Sequence, residues 1–240
     1  MPEQMTITVY KFDELEGRAK ERAATKLRDW ATDDDWYESV YECAKEDGAK
    51  RGFEIEDIRF SGFWSQGDGA SWTGSVDVKQ FVEWMLEQPE GTPEHRWIDA
   101  DRHRYLCLIE LMKDGWVERS VNVTRNGYHY VHEQTTGPEN GVDWSALESE
   151  SGWDDLANAE TILHSEGVLK GASVVGVAEG IDIKTLIPEL DDKIKDEVRS
   201  FSRHIYTQLE AEYDHLTSDE QLTEMAEAND WRFDVEGTFI

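Results

Sequence analysis

Apolar positions along the chain switch between helical and alternating spacing, and the switches mark its elements. The run MTITVY at 5–10 is β-branched and reads as a strand. Asp13 and Glu16 then resemble a capping box, and Leu15, Ala19, Ala23, Leu27 and Trp30 recur at helical spacing. The Asp33-Asp34-Asp35 cluster suits the start of a second helix that ends near Gly52. Its apolar face would carry Trp36, Val40, Cys43 and Ala44, with Cys43 as a small core residue. FEIEDIRF (53–60) and SWTGSVDV (71–78) predict strands around a glycine-punctuated connection, followed by a short helix KQFVEWMLEQ (79–88).

YLCLIELM (105–112) and WVERSVNVT (116–124) flank Lys113-Asp114-Gly115, and an Asp-Gly pair between strand-like runs predicts a hairpin. Asn126-Gly127 repeats the signal before YHYVHEQ (128–134), which completes a predicted three-stranded meander. The stretch 137–160 is rich in acids, Gly, Ser and Asn and predicts a loop or insertion, while 169–181 is small and apolar with no helical stripe. From Pro188 the positions Leu190, Ile194, Val198, Phe201, Ile205 and Leu209 step by three or four, predicting a long amphipathic helix. Thr217 to Gln221 opens a last helix over 219–228, and Trp231, Phe233 and Val235 alternate as a closing strand. The expectation is a single α+β domain over 1–240, with a mostly antiparallel sheet and amphipathic helices from both ends of the sequence packed on it.

Charge narrows the functional field. The chain has 240 residues, with 53 Asp and Glu against 24 Lys and Arg, a net charge of −29. A field of this sign repels phosphate backbones, so direct nucleic-acid binding is not expected. Apolar residues at 38% leave enough for a core despite the charge, and no apolar run is long enough to span a membrane. The acidic start also lacks the pattern of a signal peptide. Two cysteines are too few for a disulfide framework or a zinc finger. Between Asn126 and Leu169 lie nine acids without Lys or Arg, and between His204 and Trp231 lie eight. Such runs are a solvated face, an adaptation to high salt, or a charge array that imitates nucleic acid and occupies a basic groove. On the third reading the partner-binding residues are Glu139, Asp143, Glu148, Glu150, Asp154, Asp155, Glu210, Glu212 and Asp214.

A second candidate is the segment 60–74, with four glycines, four large aromatics and several short polar residues. Glycines allow main-chain N–H groups to converge on an anion. Trp64 and Trp72 would stack on a planar ring, Gln66 and Asp68 would read its edge, and Gly67, Gly69 and Ser71 would complete a nucleotide- or sugar-binding corner. The competing explanation is a tight turn in which aromatics cover the sheet and Asp68 caps backbone N–H groups. His129 and His132 point to opposite faces of a strand, and Asp99, Asp101 and His103 sit in a polar stretch typical of an exposed loop. Neither set reads as a metal site, and no cofactor is expected. No HExxH, CxxC or GxSxG motif supports an enzyme.

The segment FSGFWSQGDGAS (60–71) resembles a family of uncharacterised bacteriophage proteins that carry an FSGFxSQGDGA signature. The opening 10–24, which contains YKFDEL and AKERA, then DWYESVYECAKEDG (35–48) and the ending FSRHIYTQLEAEYDHLTSDEQLTEMAEANDWRF (201–233) are similar to the same family, whereas about 95–185 departs from it. The resemblance implies a viral, non-structural protein acting in the cytoplasm of a bacterial host, and it imports no known activity. Joined to the charge, it gives two expectations. The first is a non-enzymatic accessory protein that binds and inhibits a basic host protein, such as a component of DNA-directed defence. The second is a nucleotide-like small-ligand binder using 60–74.

Overall fold

The computed structural model describes residues 7–99, 101–113, 117, 119–127, 131–143, 145 and 183–240. Two compact units divide the chain: a terminal unit formed by Met1–Glu42 with Thr207–Ile240, and a central unit, Cys43–Tyr206. The class is α+β, as the sequence predicts, with an antiparallel sheet.

In the central unit β1 (Phe53–Ser61), β2 (Gly69–Asp77), β3 (Ser120–Arg125) and β4 (Thr136–Pro138) lie in that spatial order, all neighbours antiparallel. The β1–β2 register shifts between Ile55 and Asp57, and the shift sits opposite Gly74. Gly74 has φ +152°, and a Cβ there would run into the Glu54 carbonyl, so glycine is required where the bulge brings the two backbones together. Helix α3 (Val78–Leu86) follows β2, capped by Asp77, whose side chain accepts from the Gln80 N–H at 2.9 Å. Val78, Phe81, Val82 and Met85 of α3 are fully buried.

Two predicted strands are corrected. YLCLIELM is helical, within α5 (Arg102–Lys113), which follows the short α4 (Pro93–Asp99). Among its described side chains Tyr105, Leu108, Ile109 and Met112 are buried, a helical i, i+3, i+4, i+7 stripe hidden inside a continuous apolar run. No hairpin can therefore start at Lys113; Asp114 and Gly115 lie outside the described residues. β3 begins at Ser120, and of the strand predicted at 128–134, residues 128–130 lie outside the described ones while Glu133–Thr135 form a 3-10 turn. Most of the predicted 137–160 loop and all of 169–181 also lie outside them.

The long helix α6 (Ile183–Leu216) extends the predicted stripe at both ends, and α2 (Glu38–Lys50) starts after the aspartate cluster; both contribute residues to each unit. On α2, Ala44 and Gly48 face inward while Cys43 is exposed, contrary to its expected core role. Within the central unit, α6 lays Leu190, Ile194, Val198, Phe201 and Ile205 into the core, each no more than 1% exposed.

The terminal unit packs α1 (Gly17–Ala31) and α7 (Asp219–Ala228) around Phe12, Leu15, Ala23, Ala24, Leu27, Leu222, Ala226 and Phe233. α7 has the predicted bounds, with Ser218 as N-cap accepting from the Gln221 N–H. The box near α1 is displaced: the Glu14 side chain accepts from the Lys11 N–H at 2.8 Å and closes a 3-10 turn, Phe12–Glu14. The predicted closing strand shrinks to single bridges of Phe233 with Tyr10 and Phe239. Asp234 explains this, because its carboxylate accepts from the Glu236 and Thr238 N–H groups at 2.9 and 2.8 Å and turns the chain back.

Candidate functional site

The glycine and aromatic segment folds as a turn that Asp68 closes on its own backbone. One Asp68 oxygen accepts from the N–H of Trp64 at 3.0 Å and of Ser65 at 2.6 Å, and the Asp68 N–H donates to the Ser65 carbonyl. Gly67 adopts φ +96° to close the turn. Phe60, Phe63 and Tyr206 pack ring to ring beside it, and the Tyr206 hydroxyl donates to the Gly62 carbonyl at 3.2 Å.

The proposed ligand residues separate. Trp64 is 77% exposed and Gln66 is exposed, whereas Trp72 is fully buried against Phe53 and Phe201. The Trp72 indole N–H donates to the Val198 carbonyl at 3.3 Å, and Thr136 both donates to and accepts from the Trp72 backbone. Ser71 is buried too, and Gly69 lies where a Cβ would stand 2.5 Å from that of His132. Trp64 and Trp72 therefore do not face each other across a pocket.

Of the acidic candidates, Glu139 and Asp143 are exposed in the central unit, and Asp143 accepts from the Ser145 N–H at 2.9 Å. That bond holds its carboxyl below the usual range. Glu210 and Asp214 are exposed and Glu212 half-buried in the terminal unit. Glu148, Glu150, Asp154 and Asp155 lie outside the described residues. His129 and the His103 side chain do so as well, and among the described residues no group of three His, Cys, Asp or Glu converges as a metal site.

The terminal unit concentrates the charge. Residues 1–42 and 207–240 hold 21 acids and seven bases, a balance of −14 over 76 residues; residues 43–206 hold 32 and 17, or −15 over 164. Most of its bases are engaged in ion pairs: Lys11 with Glu227, Lys20 with Asp219, Arg22 with Glu236, Arg28 with Glu21 and Asp219, and Arg232 with Asp230. Asp34, Glu38, Glu210, Glu212 and Asp214 have no ion pair among the described residues.

Four of this unit's carboxylates converge on a recess of about 540 Å³, lined by Trp30, Ala31, Asp34, Asp35, Trp36, Glu38, Glu212 and Leu216. The aspartate cluster forms a turn before α2, in which the Trp36 N–H donates to the Asp34 carbonyl at 2.6 Å and the Glu38 N–H to the Asp35 carbonyl at 3.0 Å. This turn presents two carboxylates and an indole at one mouth. Asp35 also accepts from the Tyr37 hydroxyl at 2.9 Å, and that bond keeps the phenol protonated to higher pH than usual. Sequence reasoning assigned Asp33 to Asp35 only to a helix start and missed the recess. The clustering of Asp with Trp36 was the available signal, but the approach of Glu212, far along the chain, was not legible.

A second, polar recess of about 340 Å³ in the central unit lies between β4 with its following loop and α6, with Asp191, Lys195 and Arg199 in its lining. Asp191 accepts from the Val142 N–H at 2.9 Å, and a Cβ on Gly141 would collide with its carboxylate. Burial raises the Asp191 pKa; the Val142 bond opposes this, and the neighbouring Asp192 charge adds to it.

Fold and surface thus define an acidic α+β protein with an antiparallel sheet and a carboxylate-rich unit built from its two chain ends. The chain belongs to the family described as Domain of unknown function (DUF8835), whose model matches residues 36–219. Comparison with curated proteins gave no match, and comparison with solved structures gave none. No helix of the described residues is long and apolar enough to cross a membrane.

Proposed function

We propose that this protein docks through its acidic surface onto a basic partner protein and blocks it, without performing chemistry itself. The observation that carries the reading is the −14 balance packed into the 76 residues of the terminal unit, with most of its bases already engaged in ion pairs. Complementary potential speeds encounter with a basic surface and selects against acidic ones. The resemblance to bacteriophage proteins supports the bacterial cytoplasm as the place of action. It also supports a nucleic-acid-handling defence component as target, since such proteins carry grooves built for phosphate arrays.

The small-ligand reading at 60–74 has less support, because Asp68 is committed to the turn and Trp72 to the core. The test is capture of bacterial DNA-binding proteins by the immobilised full chain at about 50 and about 500 mM salt, with duplex DNA as competitor. The expected result is retention of basic proteins at low salt and their release by either high salt or DNA. Retention of no basic protein, or retention that DNA leaves untouched, would overturn the mimicry.

A further inference from the structure

We infer that the recess of the terminal unit seats one arginine side chain of the partner, an assignment that rests on the docking reading and narrows it to a single contact. Every titratable group lining the recess is a carboxylate: Asp34, Asp35, Glu38 and Glu212. The other walls are apolar, with the indoles of Trp30 and Trp36 contributing the aromatic surface. This combination repels anions and offers no charged donor to a neutral polar ligand. A cation with a flat, weakly hydrated body satisfies both kinds of wall.

Guanidinium has that body. It stacks on aromatic faces and presents a rigid fork of donors that carboxylates accept in pairs. An ammonium is compact and strongly hydrated, and it gains less from contact with indole walls. Rings of this unit accept cations within the chain: Lys20 Nζ stands 5.5 Å from the Phe12 centroid, and Lys26 Nζ stands 5.2 Å from that of Trp30, an internal cation with which the guanidinium shares this ring. Asp34, Glu38 and Glu212 lack an ion pair among the described residues, so an incoming guanidinium displaces no internal base from them. Buried arginines are frequent anchors of protein interfaces, which suits this seat to the centre of the docking surface.

The test uses the full chain labelled with 5-fluorotryptophan, titrated with hexa-arginine and hexa-lysine peptides at about 50 mM salt. Trp30→Phe and Trp36→Phe assign the two recess resonances. The expected result is movement of those two fluorine signals, with hexa-arginine binding about threefold to tenfold more tightly than hexa-lysine. Combined Asp34→Asn, Asp35→Asn and Glu212→Gln should weaken hexa-arginine about tenfold. An equal charge change away from the recess, Asp13→Asn with Glu220→Gln and Glu224→Gln, all exposed and outside the proposed binding set, should weaken it no more than about twofold.

Equal losses in the two triple variants, or binding that leaves the recess signals still, would overturn the seat while the docking reading stands. Equal affinity for the two peptides would overturn the choice of arginine. Failure of both peptides to bind would remove the docking reading and the seat with it. Should the first triple variant fail to fold, Glu212→Gln alone decides the matter, since its carboxylate makes no hydrogen bond among the described residues. A loss of about threefold then supports the seat, and an unchanged affinity overturns it.

Discussion

Single carboxylates in this chain do structural work that their abundance conceals. Asp68 satisfies two backbone N–H groups of the glycine turn, so Asp68→Ala should lower stability by about 1–2 kcal/mol in urea unfolding and leave affinity for basic peptides unchanged. Asp191 poses the opposite problem, because its burial disfavours the charge while the Val142 N–H requires an acceptor. Its pKa in the folded chain is raised, so the folded state holds the proton at a pH where the unfolded state has lost it. The penalty of burying the charge is therefore present above the raised pKa and relieved as pH falls through it. Asp191→Asn keeps an acceptor without the charge, and its stability relative to the native chain should be higher at about pH 7 than at about pH 4. Comparing the two proteins at each pH cancels the background from the other acids. An advantage that does not grow with pH would show that burial of this charge is not what Asn relieves.

Elements were legible where one spacing dominated. The α6 stripe and the Ser218 cap each offered a single interpretation, and both are present as predicted. Ser218→Ala should destabilise α7 by about 1 kcal/mol, read from the urea midpoint. Ile205→Ala, at a fully buried position of α6, should cost about 2–5 kcal/mol by the same measurement. The α5 segment was misread because Tyr105, Leu108, Ile109 and Met112 are embedded among further apolar residues, so the run satisfies a buried strand as well as a helix. The nearby Asp-Gly pair then tipped the reading toward a hairpin. At 231–235 the alternation of Trp231, Phe233 and Val235 suggested a strand, but the hydrogen bonds of Asp234 replaced the ladder with a turn. Local side-chain bonding competes with the sheet at such positions.

At the scale of the whole molecule the net charge of −29 opposes compaction as well as favouring basic partners. Raising sodium chloride from about 20 to about 300 mM should therefore increase the melting temperature while weakening docking, because both effects screen the same carboxylates. A melting temperature that falls over this range would show that the internal ion pairs outweigh the repulsion. The acidic runs were visible in the sequence as composition. Their partition between two units was not, because it depends on which distant segments fold together.

That partition has a consequence for biogenesis. The terminal unit draws on two segments separated by the 164 residues of the central one. During synthesis its first helix leaves the ribosome long before the segment from Thr207 to Ile240, so the hydrophobic faces of Phe12 and Leu27 wait for Leu222 and Phe233 to arrive. Joining ends so far apart adds only logarithmically to the entropy of closure, about 0.6 kcal/mol per doubling of the intervening length. The delay is thus chiefly one of timing: nascent chains stalled within the central unit would expose an unfinished core, and limited proteolysis of stalled ribosome–nascent-chain complexes should find the amino-terminal helix cleavable until Leu222 and Phe233 have both left the ribosome.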